Sequence, residues 1–388
     1  MRKPFLIAVL LLVIATTAYA QESDAPLSGP LLAVNTAEQD RIILYDVSNG
    51  AQRSLSFGDG WHMPWAFSAD GCRVIFTMSE GLAWGRAYSA KLDGSDMREL
   101  VQFDELPADA WGVWEPTPSP DGSLIAFTLL RKDAQANKIT SHLAVVDAAG
   151  GIPAIYSVSG NEFEPHWSPD GAWLAYISFT ERVPGADMAS TAVPTPEGQE
   201  SAPGTLLREA DLWVVSADGK TKYRLTDFPT GGIRAPRWSP DGFLISFIYS
   251  PSPNNETFWM IGNAEGAIPT QLSYLWSAVM DTTWFPDSAS ILAAVRDFQG
   301  VQDNVLWRIP LVGNADTDAT RFIDDPALSF VDYPRFSADG RWLALRSEYG
   351  LALADVATGQ WSLLNDVPLA NTPPVWTPAG FEGESTCT

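Results

Sequence analysis

The chain has 388 residues, with 47 acidic against 24 basic side chains and a formal charge of −23. That balance excludes a surface built to hold nucleic-acid phosphates, and it opposes attraction to anionic lipid headgroups. Sixteen tryptophans, 29 prolines and 30 glycines suit many short strands joined by turns, with aromatics in the core.

The first residues read as an export signal. Arg2 and Lys3 precede an apolar run at 5–15, and Ala18-Tyr19-Ala20 has the small-x-small form a signal peptidase cuts. Residues 1–20 are therefore expected to be removed, leaving Gln21 first and placing the protein in the periplasm or outside the cell. The alternative is an uncleaved anchor, for which the apolar run is short against the roughly 20 residues of a membrane span. No other stretch is apolar enough to span, so no membrane segment is expected after cleavage. Residues 21–30 are polar with Pro and Gly and read as a flexible lead-in.

Three strands follow, at 31–34, 41–47 and 52–57, the second ending at the turn Asn49-Gly50. Then a short motif begins to recur. Its fullest copy is Trp167-Ser168-Pro169-Asp170-Gly171, followed by the apolar run Ala172-Trp173-Leu174-Ala175-Tyr176. Related copies stand at 67–71, 118–122, 238–242, 284–288 and 336–340, each followed by an apolar strand, and a shortened one stands at 376–380. Proline presets the first turn dihedral, and Asp-Gly supplies a side-chain acceptor and a permissive φ. The aromatic before the turn ends a strand and packs between sheets. This makes every motif aspartate structural.

The aspartates at 70, 121, 170, 241, 287 and 339 are spaced by 51, 49, 71, 46 and 52 residues. Four-stranded units of roughly 40–50 residues are the signature of a β-propeller. The long interval contains an insertion at 183–207, rich in Pro, Ala, Thr, Ser and Gly. The N-terminal strands lack a motif strand, and the C-terminal motif strand at 374–378 lacks the strands that follow. Together they complete one composite blade, predicting an all-β ring of seven blades over 31–380, or six if 31–57 is only a partial sheet. Residues 381–388 form a C-terminal tail. Closure brings Cys72 and Cys387, the only cysteines, to adjacent blades. A disulfide between them is expected as a second latch, with two free thiols as the alternative.

The repeated Trp-Ser-Pro-Asp-Gly with its apolar strand resembles the WD40-like (PD40) propeller repeat of the TolB family, over nearly all of 31–380. The resemblance is fullest at 167–176 and 238–247 and weakest at 284–293, where Ser288 replaces Gly. It implies an exported propeller, here without the N-terminal α/β domain of TolB. Some exported propellers with similar repeats resemble oligogalacturonate lyases, which hold a divalent metal with channel histidines.

Of three histidines, His142 begins a second strand and is expected at a surface edge. His62 and His166 sit at or before innermost strands and are expected near the channel. Glu115, Glu162, Glu164, Asp281 and Asp332 cluster at the same places, with Arg234, Arg237 and Arg335. Trp61, Trp111, Trp114 and Tyr333 stand close by. Converging in a ring, these segments predict a polar channel mouth with aromatic walls, fit for a peptide, a glycan or a small ligand. No nucleophile elbow, zinc-protease motif or phosphate loop is present. The reading is therefore a noncatalytic, monomeric, exported propeller that binds a protein or envelope component, with no cofactor, no resident metal and no nucleic-acid partner. A channel-site lyase or hydrolase acting on polysaccharide, with a metal on His62 and His166, is the alternative.

Overall fold

In the computed structural model, the described residues are 25–387, apart from 80–84, 134, 136–137, 157–159, 183–206, 230, 253–254, 274–277, 297–303, 314 and 365–371. The expected signal segment at 1–20 and the insertion at 183–207, up to residue 206, lie outside them. Seven antiparallel four-stranded sheets form a β-propeller. Blade 1 is the composite one: Val375–Trp376 pairs with Leu31–Asn35, through Ala33 opposite Val375 and Leu32 opposite Trp376. The innermost strands of blades 2 to 7 are Trp61–Phe67, Ala110–Pro118, Glu162–Trp167, Gly232–Trp238, Ala278–Trp284 and Asp332–Phe336.

The motif builds each blade's inner turn. In five copies the Ser Oγ donates to the Asp Oδ1 two residues on, at 2.5–2.6 Å. The same Oδ1 accepts the backbone N–H two residues further, at 3.0–3.1 Å. The Ser Oγ in turn accepts an N–H from the outgoing strand, as from Trp173 at 2.9 Å. These bonds occupy the carboxylate and hold the pKa of Asp170 below the usual carboxylate range, chiefly through the Ser168 hydroxyl. The turn's next residue lies at φ 69° to 76° in the copies with glycine from Gly71 to Gly340. Ser288 adopts φ 56° at the same place, so the deviant copy keeps the turn at the cost of some strain.

A blade cannot cover its own faces, so the cores lie between blades. Among the described residues the buried apolar side chains fall into seven clusters, one for each interface around the ring. Leu212 and Phe247 share the cluster between blades 4 and 5, and Leu32 and Leu353 that between blades 7 and 1. The motif tryptophans staple these interfaces. Indole Nε1 of Trp167, Trp238, Trp284 and Trp376 donates to the backbone oxygen of Thr117, His166, Arg237 and Arg335 on the preceding blade, at 2.9–3.1 Å.

The two ends of the chain are anchored together. Unlike an expected flexible lead-in, residues 25–30 dock: Leu27 is buried, and the N–H groups of Ser28 and Gly29 donate to Asp46. Over them lies the tail. Glu384 N donates to Leu27 O, its carboxylate takes a bidentate bond from Arg53, and Cys387 is disulfide-bonded to Cys72 with Cα atoms 5.4 Å apart.

Candidate functional site

The innermost strands carry a second regularity. Each of those in blades 2 to 7 breaks register with its neighbour by a bulge. In four blades the bulge is centred on a residue followed by proline: Glu115, Glu164, Ala235 and Tyr333, at φ 50° to 55°. Proline has no N–H, so the bulge leaves no ladder donor unpaired, and the extra residue re-aims its neighbours. The side chains on either side of each proline, such as Glu164 and His166, then both face the channel. The residue after proline is also the one whose carbonyl the next blade's tryptophan holds.

The result is a central cavity of about 950 Å³ lined by all seven innermost strands. Glu115, Glu164, His166, Arg234, Arg237, Asp281 and Arg335 line it, as expected, with Trp114 and Tyr333. Trp65 completes the aromatic wall, meeting Trp114 edge to face at 4.9 Å between ring centroids. Trp65 and Met280 escaped the sequence reading. Their signal was their position in the bulge, Trp65 three residues before Ser68 and Met280 five before Phe285, which takes the place of the motif serine.

Three expected members are elsewhere. His62 is fully buried between blades 1 and 2 against Phe57 and Phe76, and both ring nitrogens lack a hydrogen-bond partner. Burial depresses its pKa, keeping it neutral. Glu162 is buried, and its carboxylate accepts the N–H groups of Gly160 and Asn161. Asp332 is buried and paired with Arg346 at 3.0 Å. His62 and Glu162 precede the bulge of their strand, whose extra residue sends them to the opposite face from the one a plain alternation assigns, whereas Asp332 turns to Arg346, its register partner on the next strand. Of the expected aromatics, Trp61 is exposed and Trp111 lies under the Lys132 ammonium; neither lines the cavity. His142 is half-buried rather than at an open edge, with Thr140 Oγ1 3.0 Å from its ring.

The charges run around the ring in order. Carboxyl groups stand on blades 3 and 4, arginines on blades 5 and 7, and Asp281 between the arginines on blade 6. Asp281 takes Arg335 Nη1 at 2.8 Å and lies 3.8 Å from Arg237 Nη2. Arg234 is spent on Glu256, both of whose oxygens lie 2.9 Å from its Nη2. Glu164 accepts the Ala235 N–H at 2.7 Å. Burial, and then the Glu164 charge, push the Glu115 carboxyl up to about 8, against an opposing pull from Arg237. Burial also raises Glu164. Burial and the charges of Arg237 and Arg335 hold His166 well below the usual imidazole range, so it is neutral.

Glu115 makes a testable contribution to stability. Between its ordinary 4.5 and about 8, the folded chain holds a proton that the unfolded chain has released, so this group's contribution falls as pH rises. Glu115→Gln is expected to remove that fall. Relative to wild type, it should gain about 2 kcal/mol between pH 5 and pH 8, an effect discounted for solvent reaching the channel. Urea midpoints of both proteins at the two pH values measure it, and an equal pH response in both would refute it.

No family model matches the chain. It is similar to the uncharacterized peptidase YuxL of Bacillus subtilis, at 24% identity over 251 residues, 64% of this chain and 31% of that protein. It is similar to dipeptidyl-peptidase 5 of Porphyromonas gingivalis, at 25% over 325 residues, 76% of this chain and 47% of that one. In keeping with the repeats, it is also similar to a TolB homologue of Chlorobium chlorochromatii, at 25% over 181 residues, 47% and 32% of the two chains. The chain spans less than half the length of these relatives. Among solved structures, it shares its fold with a puromycin hydrolase variant complexed with PGG (TM-score 0.61, 14% identity, 92% of this chain and 55% of that one). It shares it also with an oligogalacturonate lyase from Vibrio parahaemolyticus (TM-score 0.58, 12% identity, 84% and 91%). The fold shared with these solved structures is the β-propeller.

Proposed function

We propose that this chain is an exported binding propeller that admits a segment of a partner protein into its channel mouth and does no bond-breaking chemistry of its own. The observation that carries this reading is the cavity of about 950 Å³, walled by Trp65 and Trp114 and set with charged groups on seven braced strands. Rigid walls with a few placed polar groups suit recognition. Burial and the charges of Arg237 and Arg335 keep His166 neutral. Among the described residues, no three His, Cys, Asp or Glu side chains form a metal-binding group. Export rests on the basic, apolar and small-x-small pattern of residues 1–20. Among the described residues, no helix is long and apolar enough to cross a membrane.

The test is site-specific photocross-linking in cells. A photoreactive amino acid in place of Trp65 is expected to give a discrete protein adduct. One in place of the outward Ile268, 84% exposed, is not. The reading is overturned if position 65 gives no adduct. It is equally overturned if the purified protein cleaves polygalacturonate or a peptide anilide and His166→Ala abolishes that turnover.

A further inference from the structure

The charges lining the cavity do not balance. Three carboxyl groups face it, Glu115, Glu164 and Asp281, together with three guanidinium groups. Arg234 is neutralised by Glu256, which lies outside the lining. Asp281 is held by Arg335 at 2.8 Å, approached by Arg237 at 3.8 Å, and bonded by the Thr282 N–H. That leaves Glu115 and Glu164, on adjacent innermost strands, with a share of Arg237, the Ala235 N–H and the Trp114 side chain as their compensation. Three carboxylates against two available guanidinium groups leave the channel one positive charge short. Without a bound cation a proton on Glu115 makes up the difference, its carboxyl raised to about 8 by burial and then by the Glu164 charge.

A ligand cation can take that proton's place, and the surroundings select its type. The adjacent wall is the edge-to-face pair of Trp65 and Trp114, an apolar surface for an alkyl stem and a π face for a positive head. Arg237 beside the pair disfavours a doubly charged metal ion. A compact ammonium carries one charge and three donors, matching two carboxylates better than a planar guanidinium does.

We propose that the channel is a receptor for a primary ammonium group of a peptide, seated between the carboxyl groups of Glu115 and Glu164 with its alkyl stem on the indole wall of Trp65 and Trp114. This rests on the binding reading above and specifies the chemistry of its ligand. The ammonium displaces the proton on Glu115, so binding releases protons and tightens as pH rises toward the titration of Glu115. A lysine side chain keeps its charge beyond that pH. A chain terminus, with an amine pKa near 8, loses it there, so its affinity peaks and then falls.

Calorimetry on the mature protein tests this with three probes: Gly-Gly-Gly-amide, acetyl-Gly-Lys-Gly-amide, and acetyl-Gly-norleucine-Gly-amide as the uncharged control. At least one ammonium peptide is expected to bind, with the norleucine peptide about tenfold weaker or silent. Titrations in two buffers of different ionisation heat should show proton release at pH 6.5. Affinity should rise by up to about tenfold per pH unit below pH 8. Glu164→Gln is expected to lose about tenfold in affinity, and Glu115→Gln to lose the pH dependence, with thermal melts confirming that both fold. Preference for the lysine or the terminal amine identifies the source of the group. The proposal is overturned if the norleucine peptide binds equally, if no proton is released, or if neither amine binds at millimolar concentration. If cross-links from position 65 persist in that last case, only the ammonium proposal falls; if they are absent too, the binding reading falls with it.

Discussion

Replacing both Cys72 and Cys387 by serine is expected to cost about 4 kcal/mol of stability and to lower the unfolding temperature by about 5 °C. The ring is closed by very little sheet. Among the described C-terminal residues, only Val375 and Trp376 pair with the first strand, supported by reciprocal bonds between Leu31 and Thr377 and by Thr372 Oγ1 to Asn35 at 2.7 Å. The disulfide spans 315 residues, nearly the whole described chain, and loop-closure entropy grows with that span. It also seats the tail, so that Phe381 packs against Gly71, where a Cβ would come within 2.5 Å of the ring. Loss of the bond releases the tail from Leu27 and leaves the two-residue closure to hold blades 7, 1 and 2. The measurement is calorimetric melting of wild type with and without reductant, beside the double serine variant. Reduced wild type and the variant should melt together, below oxidised wild type. Three coincident melting temperatures would show that the closing strand suffices alone.

The parts of this molecule that were legible in the sequence are those that repeat. Asp70, Asp121, Asp170, Asp241 and Asp339 perform the same turn chemistry five times, and Asp287 accepts the Ala289 N–H at 2.9 Å even where glycine is replaced. Repetition also located the composite blade and brought the two cysteines to neighbouring turns. The channel was legible in part. Glu164 and His166 were found because they lie on a strand already placed innermost. His62 and Glu162 were misplaced because a one-residue bulge reverses the face of whatever precedes it, and simple alternation carries no mark of a bulge; Asp332 was misplaced because its ion pair with Arg346 leaves no mark in the sequence. The usable mark was the proline inside the strand, at 116, 165, 236 and 334. It breaks a rule of strand composition for a reason that becomes visible only when four copies are aligned. Pairings such as Arg234 with Glu256, 22 residues on within the same blade, or Arg335 with Asp281 on the preceding blade depend on side-chain reach and leave no periodic trace.

Asp281→Ala is expected to destabilise the protein by about 3–4 kcal/mol, and Asp281→Asn by less. The Asp281 side chain is only 7% exposed, while Arg335 and Arg237 beside it are 21% and 23% exposed. Removing the carboxylate leaves two guanidinium groups facing each other across a narrow channel, and it strips the Thr282 N–H of its acceptor. The cost is mainly that of the stranded cations rather than the net worth of the ion pair, and a second substitution separates the two. Arg335→Ala placed on Asp281→Ala should recover part of the loss, whereas Arg335→Ala alone should destabilise, giving a coupling of about 1–3 kcal/mol in denaturant titrations. Additive single effects would show that the pair stands independently in solvent. The substitution also reaches the other side of the channel. Asp281 draws on Arg237, and without it that guanidinium is free to serve Glu115 and Glu164 fully. Glu115 should then ionise at lower pH in Asp281→Ala, and the alkaline loss of stability assigned to it should shrink in that background.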